Sequence, residues 1–415
     1  MNASTSSDTT PAPLGQDAHI IGLVGVAHGI SHFSQLSLAP LFPLIKAEFG
    51  YSYAELGLLM SIFFVVSGVG QALAGFVVDR IGARPVLFGG IALLGVSVVG
   101  LATANHYAAF ALFSLVGGIG NAVFHPADYT LLNQRVSPAR LGHAFSSHGI
   151  AGNLGWALAP VFLTALAVPF GWRGALIGAA VLIFAVLALL ITQRQHLTTR
   201  TEHAQPGRSV GADDTFGFLR LPMVWMCFAF FLISAMAMTG IQSFTPSALQ
   251  AMYALPIWQA TAGVTVYMLA SALGAVWGGF LAGATKRHER IIAPAFCGSG
   301  LLALAVASGW PPAWLILPLL AGIGFGAGVA GPSRDLLVRG ASPKNATGRV
   351  YGVVYSGLDT GCALGPLLFG AIMDGGPPHW VFIGVGIFQV LAVLTAVGVG
   401  NRPQRGAATA TAAAG

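Results

Sequence analysis

One stretch decides the fold class: residues 54–78 read AELGLLMSIFFVVSGVGQALAGFVV, with Glu55 as their single charge. A helix needs about 20 apolar residues to cross the hydrocarbon core of a bilayer, and this stretch is long enough. Eleven further stretches resemble it, which gives predicted spans at 20–43, 54–78, 85–104, 107–132, 141–168, 174–192, 222–249, 259–284, 291–309, 313–338, 350–373 and 379–400. The sequence therefore predicts an all-α integral membrane protein with twelve transmembrane helices.

The composition also indicates that the bilayer is the solvent of this chain. Of its 415 residues, 55% are hydrophobic and 8% are charged, far less charge than a soluble protein of this size needs. The 56 glycines fit helices that pack closely in a membrane. The net charge of +6 is scattered between the apolar stretches, so nucleic acid is not an expected partner.

The spans fall into two groups of six, separated by a charged segment. The predicted organisation is a disordered tail at 1–17, a six-helix bundle at 18–192, a linker at 193–220, a second six-helix bundle at 221–400 and a tail at 401–415. Sixteen of the 19 Lys and Arg residues fall on the side of the tails and the linker, whereas only Lys46 and Arg173 fall on the other side. Because basic loops stay in the cytoplasm, we expect a multi-pass cell-membrane protein with both termini cytoplasmic.

The two groups are copies of one pattern. The first copy contains GIG at 118–120, Pro126 and GWALAP at 155–160. The second copy, about 206 residues later, contains GFG at 324–326, Pro332 and GCALGP at 361–366. Two pseudo-symmetric bundles are typical of transporters that expose one midplane site to either side in turn, so the repeat favours transport over a scaffold role.

The loop after the second span reads GFVVDRIGAR at 75–84. With its position between the second and third spans, it resembles the signature of the major facilitator superfamily, and the resemblance covers residues 20–400. It implies a gating motif that comprises Gly75, Asp79, Arg80, Gly82 and Arg84. It also implies that Asp79 pairs across the halves with the start of the eleventh span, at 347–349.

A second resemblance lies in the fourth span. Val123-Phe124-His125-Pro126 is similar to the Phe-His-Pro-Glu stretch of fosmidomycin-resistance-type exporters, a branch of the same superfamily. In this chain Ala127 follows the proline and the acid, Asp128, comes one residue later, which turns it by about 100° around the helix. The resemblance implies proton-coupled efflux of a drug or metabolite.

Ionisable side chains inside a span cost at least about 2.5–3.5 kcal/mol at its centre, so we expect them to face water or a partner. The spacing places His28 with His32, and His125 with Asp128, on single helix faces. By the resemblance, the spans concerned line the central cavity. The predicted substrate and proton pathway then comprises His28, His32, His125, Asp128, His148, Asn153, Arg334, Tyr355 and Asp359.

Roles follow from chemistry. Asp128 and Asp359 are predicted proton carriers, the histidines are predicted relays or substrate ligands, and Arg334 is a predicted counter-charge for an anion. Simpler readings stay open: His148 donates a hydrogen bond in a packed helix, Asp128 and Arg334 reach the cytoplasmic edge, or Arg334 pairs with Asp335.

Three functions compete. Because the sequence has no Walker A motif, we expect a proton gradient rather than ATP or another cofactor to drive transport, with a small molecule and protons as partners and no obligatory protein partner. The alternative to efflux is uptake of a small organic anion by proton symport. A more distant alternative is a membrane-embedded metalloenzyme that uses His28 and His32 with His125 or Asp128, although Gly29 stands where His-Glu-x-x-His would have its acid, and no metal site is expected. A transporter-like receptor is disfavoured because the sequence shows no soluble domain.

Overall fold

The structure, a computed structural model, describes residues 13–199, 220–285, 287–341 and 347–400. This part of the chain is helical and contains no strand. In the first half the helices are α1 Leu14–Gln35, α2 Phe42–Phe49, α3 Tyr53–Ile81, α4 Ala83–Thr103, α5 Tyr107–Asn121, α6 Phe124–Arg135 and α7 Leu141–Thr192. In the second half they are α8 Pro222–Tyr253, α9 Ile257–Ala284, α10 Glu289–Ala307, α11 Ala313–Ala341, α12 Thr347–Gly375 and α13 Trp380–Gly400.

Local sequence explains where α3 begins and ends. Ser52 and Glu55 form a capping box: the Ser52 hydroxyl accepts from the Glu55 N–H at 3.1 Å, and the Ser52 N–H donates to the Glu55 carboxylate at 2.8 Å. At the other end Gly82 has φ +87°, a conformation that glycine adopts without strain. The predicted signature loop is therefore a single-residue turn between α3 and α4.

Two predicted spans, the first and the fourth, are interrupted in the structure. The first was expected to continue to residue 43, but α1 ends at Gln35 and a 3₁₀ turn, Ala39–Leu41, leads into the short α2. The fourth is divided into α5 and α6, because Pro126 has no N–H with which to continue the helix from Ala122. Its counterpart in the repeat, Pro332, lies within the continuous helix α11, so the copies differ at this point.

The fifth and sixth predicted spans are joined without a loop. They form the continuous element α7, whose only non-helical residue is Gly171, with φ +69° and ψ +173°. A straight helix of 52 residues would be about 78 Å long, more than twice the hydrocarbon thickness, so the chain must change direction at this glycine.

The chain divides into two compact units. Unit 1 comprises Met1–Arg208 and Leu255–Met268, and unit 2 comprises Ser209–Ala254 and Leu269–Gly415. Within unit 1, α1 packs on α7, and α4 packs on α5 and α7. Within unit 2 the equivalent pairs are α8 on α12, and α10 on α11 and α13. The same pairs of helices therefore build both units, as the sequence repeat predicts.

Two ion pairs connect α1 and α2 to α7 within unit 1. At the start of α1, the fully buried Asp17 accepts hydrogen bonds from Arg140 at 2.6 Å and from the Ser137 N–H at 3.3 Å. Near the end of α2, Glu48 accepts from the Trp172 indole at 2.7 Å and from the Arg173 guanidinium. These contacts hold the start of α7 and its turn at Gly171 against the first segment of the chain.

Nine helices of the described ranges are long and apolar enough to cross a membrane, and a shorter apolar helix spans Trp380–Ala396. One of the nine comprises α7 and the 3₁₀ turn before it, and α7 alone contains two predicted spans. The structure is thus consistent with twelve spans, and the prediction of an all-α membrane protein is confirmed.

Candidate functional site

One face of α1 is polar through the middle of unit 1. His28, Ser31, His32 and Gln35 recur at the three- and four-residue spacing that places side chains on one side of a helix. The rest of the helix surface is mainly apolar. Because an apolar environment penalises polar groups without partners, this face must find partners on neighbouring helices.

The centre of the polar cluster is the carboxylate of Asp128, on α6, which is fully buried. Its Oδ2 atom accepts hydrogen bonds from His28 Nδ1 at 3.2 Å and from His148 Nε2 at 3.0 Å. The two imidazole rings stack with their centres 3.5 Å apart. The second carboxylate oxygen, Oδ1, is buried and makes no hydrogen bond with the described residues.

Two further histidines complete the cluster. The rings of His32 and His125 lie 4.4 Å and 5.3 Å from the ring of His28. His125 Nδ1 lies 2.7 Å from Gln71 Oε1, on α3, which connects a fourth helix to the cluster. His32 Nδ1 is buried without a hydrogen bond in the described structure. We call these four histidines and Asp128 the histidine cluster.

A layer of amides and hydroxyls lies next to the histidine cluster. Asn121 accepts from Ser31 at 2.7 Å and from Gln35 at 3.3 Å, and its amide donates to Ser67 at 2.8 Å. Trp156 packs on His32 with ring centres 4.2 Å apart, and its indole donates to Gln35 at 3.0 Å. The sequence analysis missed these residues and Gln71, although the spacing of Ser31 and Gln35 after His28 was a readable signal.

Glycines on α7 allow the cluster to form. A Cβ atom on Gly155 would overlap the backbone of α1 at Gly29, so the two helices approach more closely than side chains would permit. A Cβ on Gly152 would lie 2.8 Å from His32 Nδ1 and 3.1 Å from His28 Nε2. The absence of that atom leaves a small space bordered by two ring nitrogens.

Not every predicted pathway residue joins the histidine cluster. The structure brings His28, His32, His125, Asp128 and His148 together. Asn153, also on α7, follows His148 by five residues, which places it about 140° away around the helix. It makes no hydrogen bond with the described residues.

The remaining pathway residues lie in unit 2. The Arg334 guanidinium lies 4.4 Å from the centre of the Phe231 ring, and the Tyr355 ring packs on the same phenylalanine at 4.9 Å. Asp359 lies near the middle of α12, is partly buried, and forms no hydrogen bond or ion pair with the residues described. The side chain of Asp335, the alternative partner proposed for Arg334, lies outside the described residues.

The predicted gating motif occupies the end of α3 and the start of α4. Asp79 and Arg80 are exposed, Gly75 has open space beside it, and Gly82 makes the turn. Arg84 donates to the Arg194 carbonyl at 3.3 Å and lies 3.4 Å from the Thr198 hydroxyl. The predicted partners of Asp79, at 347–349, have side chains outside the described residues, so this pairing stays a prediction.

Comparison with known proteins decides the family. The model of the Major Facilitator Superfamily matches residues 24–332 and 259–414. The chain belongs to the major facilitator superfamily. This membership confirms the resemblance drawn from residues 75–84 and the predicted fold.

Individual members of the superfamily resemble the chain to different extents. "Probable nitrate/nitrite transporter NarK2" of Mycobacterium tuberculosis is 26% identical over 349 residues, which cover 81% of this chain and 84% of that protein. "Fosmidomycin resistance protein" of Escherichia coli is 26% identical over 152 residues, 37% of each chain. Among solved structures, the nucleoside transporter NupG has a TM-score of 0.75 at 14% identity and covers 92% of this chain and 99% of its own. That likeness shows the fold alone.

Membership also confirms the general function. The chain is a multi-pass membrane transporter of small solutes and not an enzyme. The metalloenzyme alternative is therefore wrong as a statement of function.

Proposed function

We propose that this superfamily member is a secondary transporter that moves a small anion together with protons by alternating access, in the plasma membrane and with both termini in the cytoplasm. The observation that carries the coupling is Asp359. A carboxylate near the middle of a membrane helix, without an ion pair or hydrogen bond among the described residues, is expensive to keep charged in an apolar environment. Binding a proton removes that cost, so the side chain suits the alternate loading and release of a proton.

Arg334 supports an anionic solute. Its guanidinium lies within a span, against the face of Phe231, and it carries a permanent positive charge. Co-transport with protons offsets the negative charge that an anion brings into the membrane. The NarK2 protein, described as a probable nitrate/nitrite transporter, matches over most of its length, which also favours a small inorganic or organic anion.

Efflux is the second candidate, and the resemblance to fosmidomycin-resistance-type exporters at 123–126 favours it. The shorter match to the fosmidomycin resistance protein agrees. Asp128, the other predicted proton carrier, already accepts two hydrogen bonds, which favours a role in orienting His28 and His148. The proposal therefore assigns the proton to Asp359.

The test uses purified protein in liposomes that contain a pH-sensitive dye. Nitrate, nitrite, small carboxylates and phosphonates are added outside in turn, and internal pH is recorded. We expect one class of anion to acidify the interior, because symport brings protons in with the anion. Alkalinisation would instead establish proton–solute antiport and support efflux.

Asp359→Asn is expected to abolish solute-driven proton movement while exchange of labelled solute across the membrane continues. Asp374→Asn is the matched control, because Asp374 is an exposed acid near the end of the same helix. Arg334→Gln is expected to abolish solute exchange itself. Wild-type proton movement in Asp359→Asn would refute the assignment of the carrier.

A further inference from the structure

Three ring nitrogens converge in unit 1. One ligand atom each from His28, His32 and His125 lies within 4.8 Å of the others. Imidazole nitrogens are good ligands for late first-row transition metals. We propose that these three histidines form a binding site for a divalent transition-metal cation such as Zn²⁺, Co²⁺ or Ni²⁺. This proposal goes beyond the transport function and does not depend on the solute, the direction or the proton.

Hydrogen bonds indicate which nitrogens are available to a metal. Asp128 Oδ2 and Gln71 Oε1 are acceptors, so His28 Nδ1 and His125 Nδ1 carry protons towards them. In a neutral imidazole the other nitrogen, Nε2, then carries a lone pair. Metal-ligating histidines are oriented in the same way, with the second ring nitrogen donating to a carboxylate or a carbonyl oxygen.

The third nitrogen belongs to His32. His32 Nδ1 is buried and has no hydrogen-bond partner within the described residues. It borders the space beside Gly152 together with His28 Nε2, because a Cβ atom there would lie 2.8 Å and 3.1 Å from these two atoms. A cation among the ring nitrogens would satisfy this atom.

The donor set selects the class of metal. Three imidazoles suit Zn²⁺, Co²⁺ or Ni²⁺, whereas Mg²⁺ and Ca²⁺ require oxygen ligands. Three protein ligands leave a fourth position for an exchangeable group, and the carboxylate of Asp128 behind His28 offsets part of the added charge.

A neighbouring set of atoms is a rival site. His28, Asp128 and His148 also offer ligand atoms within 4.8 Å of one another. In that set, however, Asp128 Oδ2 already accepts from both histidines, so a metal would have to displace two hydrogen bonds. His32 and His125 are also less deeply buried than His28 and His148, which gives an ion an approach.

The experiment is a Co²⁺ titration of the full chain, purified in detergent without a polyhistidine tag and freed of metal with a chelator. We expect one Co²⁺ per chain, with the visible absorption of a four-coordinate ion, and displacement by Zn²⁺. Absence of binding in the folded wild-type protein would overturn the proposal.

Variants locate the site. His32→Ala is expected to weaken binding by at least about 100-fold, and Gln71→Leu by about 10–100-fold, the usual effect of losing a partner that orients a ligand. Gly152→Ala keeps all three ligands and is expected to weaken binding because its methyl group fills the space between them. His143→Ala, which changes an exposed histidine on the same helix, is expected to bind as the wild type does.

Size-exclusion chromatography and thermal unfolding establish which variants fold. If His32→Ala does not fold, the binding measured for Gln71→Leu or Gly152→Ala tests the site in its place. Loss of binding in His148→Ala together with wild-type binding in His32→Ala would assign the metal to the rival set and refute the proposed ligands. Unchanged binding in every variant would show adventitious surface binding and would refute the site.

Discussion

The ion pair at the start of α1 is expected to be a measurable source of stability. Asp17→Asn removes the negative charge but keeps a side-chain oxygen that can still accept from the Ser137 N–H. What is lost is the charged part of the contact with Arg140, whose hydrogen bond measures 2.6 Å. The substitution therefore removes the charge of the side chain while nearly keeping its shape.

The magnitude follows from burial. A hydrogen bond to a charged group contributes about 1.5–3 kcal/mol, and loss of one partner leaves the other unsatisfied. Asp17 is fully buried, but the Arg140 side chain is 27% exposed, so water compensates part of the loss. We expect Asp17→Asn to lower the free energy of unfolding by about 1.5–2 kcal/mol.

This contribution should depend on pH in a definite direction. Burial by itself raises the pKa of Asp17, but hydrogen bonds from Arg140 and Ser137 lower it, and the net shift is downward. A lowered pKa stabilises the folded state above the unfolded value of about 3.9, and the stabilisation is lost as the pH falls through the folded pKa. The difference between wild type and variant should be constant from neutral pH to about pH 5 and shrink only in stronger acid.

The assay is equilibrium unfolding in mixed detergent micelles, with Asp17→Asn, Arg140→Gln and the double variant compared. A coupling free energy of about 1 kcal/mol or more between the two positions is expected. Arg80→Gln, which changes an exposed arginine, serves as the control. Additive effects of the two single substitutions would refute the reasoning, because they would show that the pair does not act as a unit.

Three other substitutions test the contact of α2 with the turn of α7 and the packing of α7 on α1. Glu48→Gln is expected to cost only about 0.5–1 kcal/mol in the same assay, because its pair with Arg173 is about two-fifths exposed. Hydrogen bonds from Trp172 and Arg173 lower the pKa of Glu48. The stabilisation by Glu48 is therefore present above about pH 4.3 and disappears as the pH falls through the lowered pKa. A destabilisation by Glu48→Gln that increased in acid would contradict this reasoning. Gly155→Ala is expected to destabilise by about 1–3 kcal/mol through overlap with α1, whereas Gly149→Ala, which has open space, should gain up to about 1 kcal/mol from helix propensity. Thermal unfolding that ranked the two alanine variants equally would show that close backbone approach is not required.

The helices and the family could be predicted from the sequence because each depends on a local pattern of residues. A run such as 54–78 leaves little alternative to a membrane helix, and the glycine and charge pattern of 75–84 identifies the loop that follows it. The division between α5 and α6 was also available in principle, since Pro126 interrupts the backbone hydrogen bonds. The continuous helix through Pro332 could not be predicted in the same way, because the equivalent proline in the second copy does not divide its helix.

The candidate site was only partly readable because contacts between helices depend on how they pack. The spacing of His28 and His32 predicted a shared face, and the resemblance implied that His125, Asp128 and His148 belong to the same pathway. The structure brings the five side chains together. The sequence could not show that Gln71 meets His125, since no local pattern links α3 to α6. Asn153 was assigned to the pathway because the resemblance implies that its span lines the central cavity, whereas the helical period turns it away from the histidine cluster.

In unit 2 the sequence did not indicate which residue Arg334 and Tyr355 both contact. Arg334 and Tyr355 were expected in one pathway, and their shared contact is Phe231, an aromatic residue that looks like any other core residue in the sequence. An interaction between a guanidinium and a ring face has no sequence motif. Its presence could be found only from coordinates.

The turn at Gly171 also limits where the protein can be altered. Because no spare residues separate the two spans of α7, a single inserted residue would rotate the following span by about 100° and carry Trp172 away from Glu48. Epitope tags, fluorescent reporters and protease sites therefore have no place in this turn, and an antibody would find almost no polypeptide there to recognise.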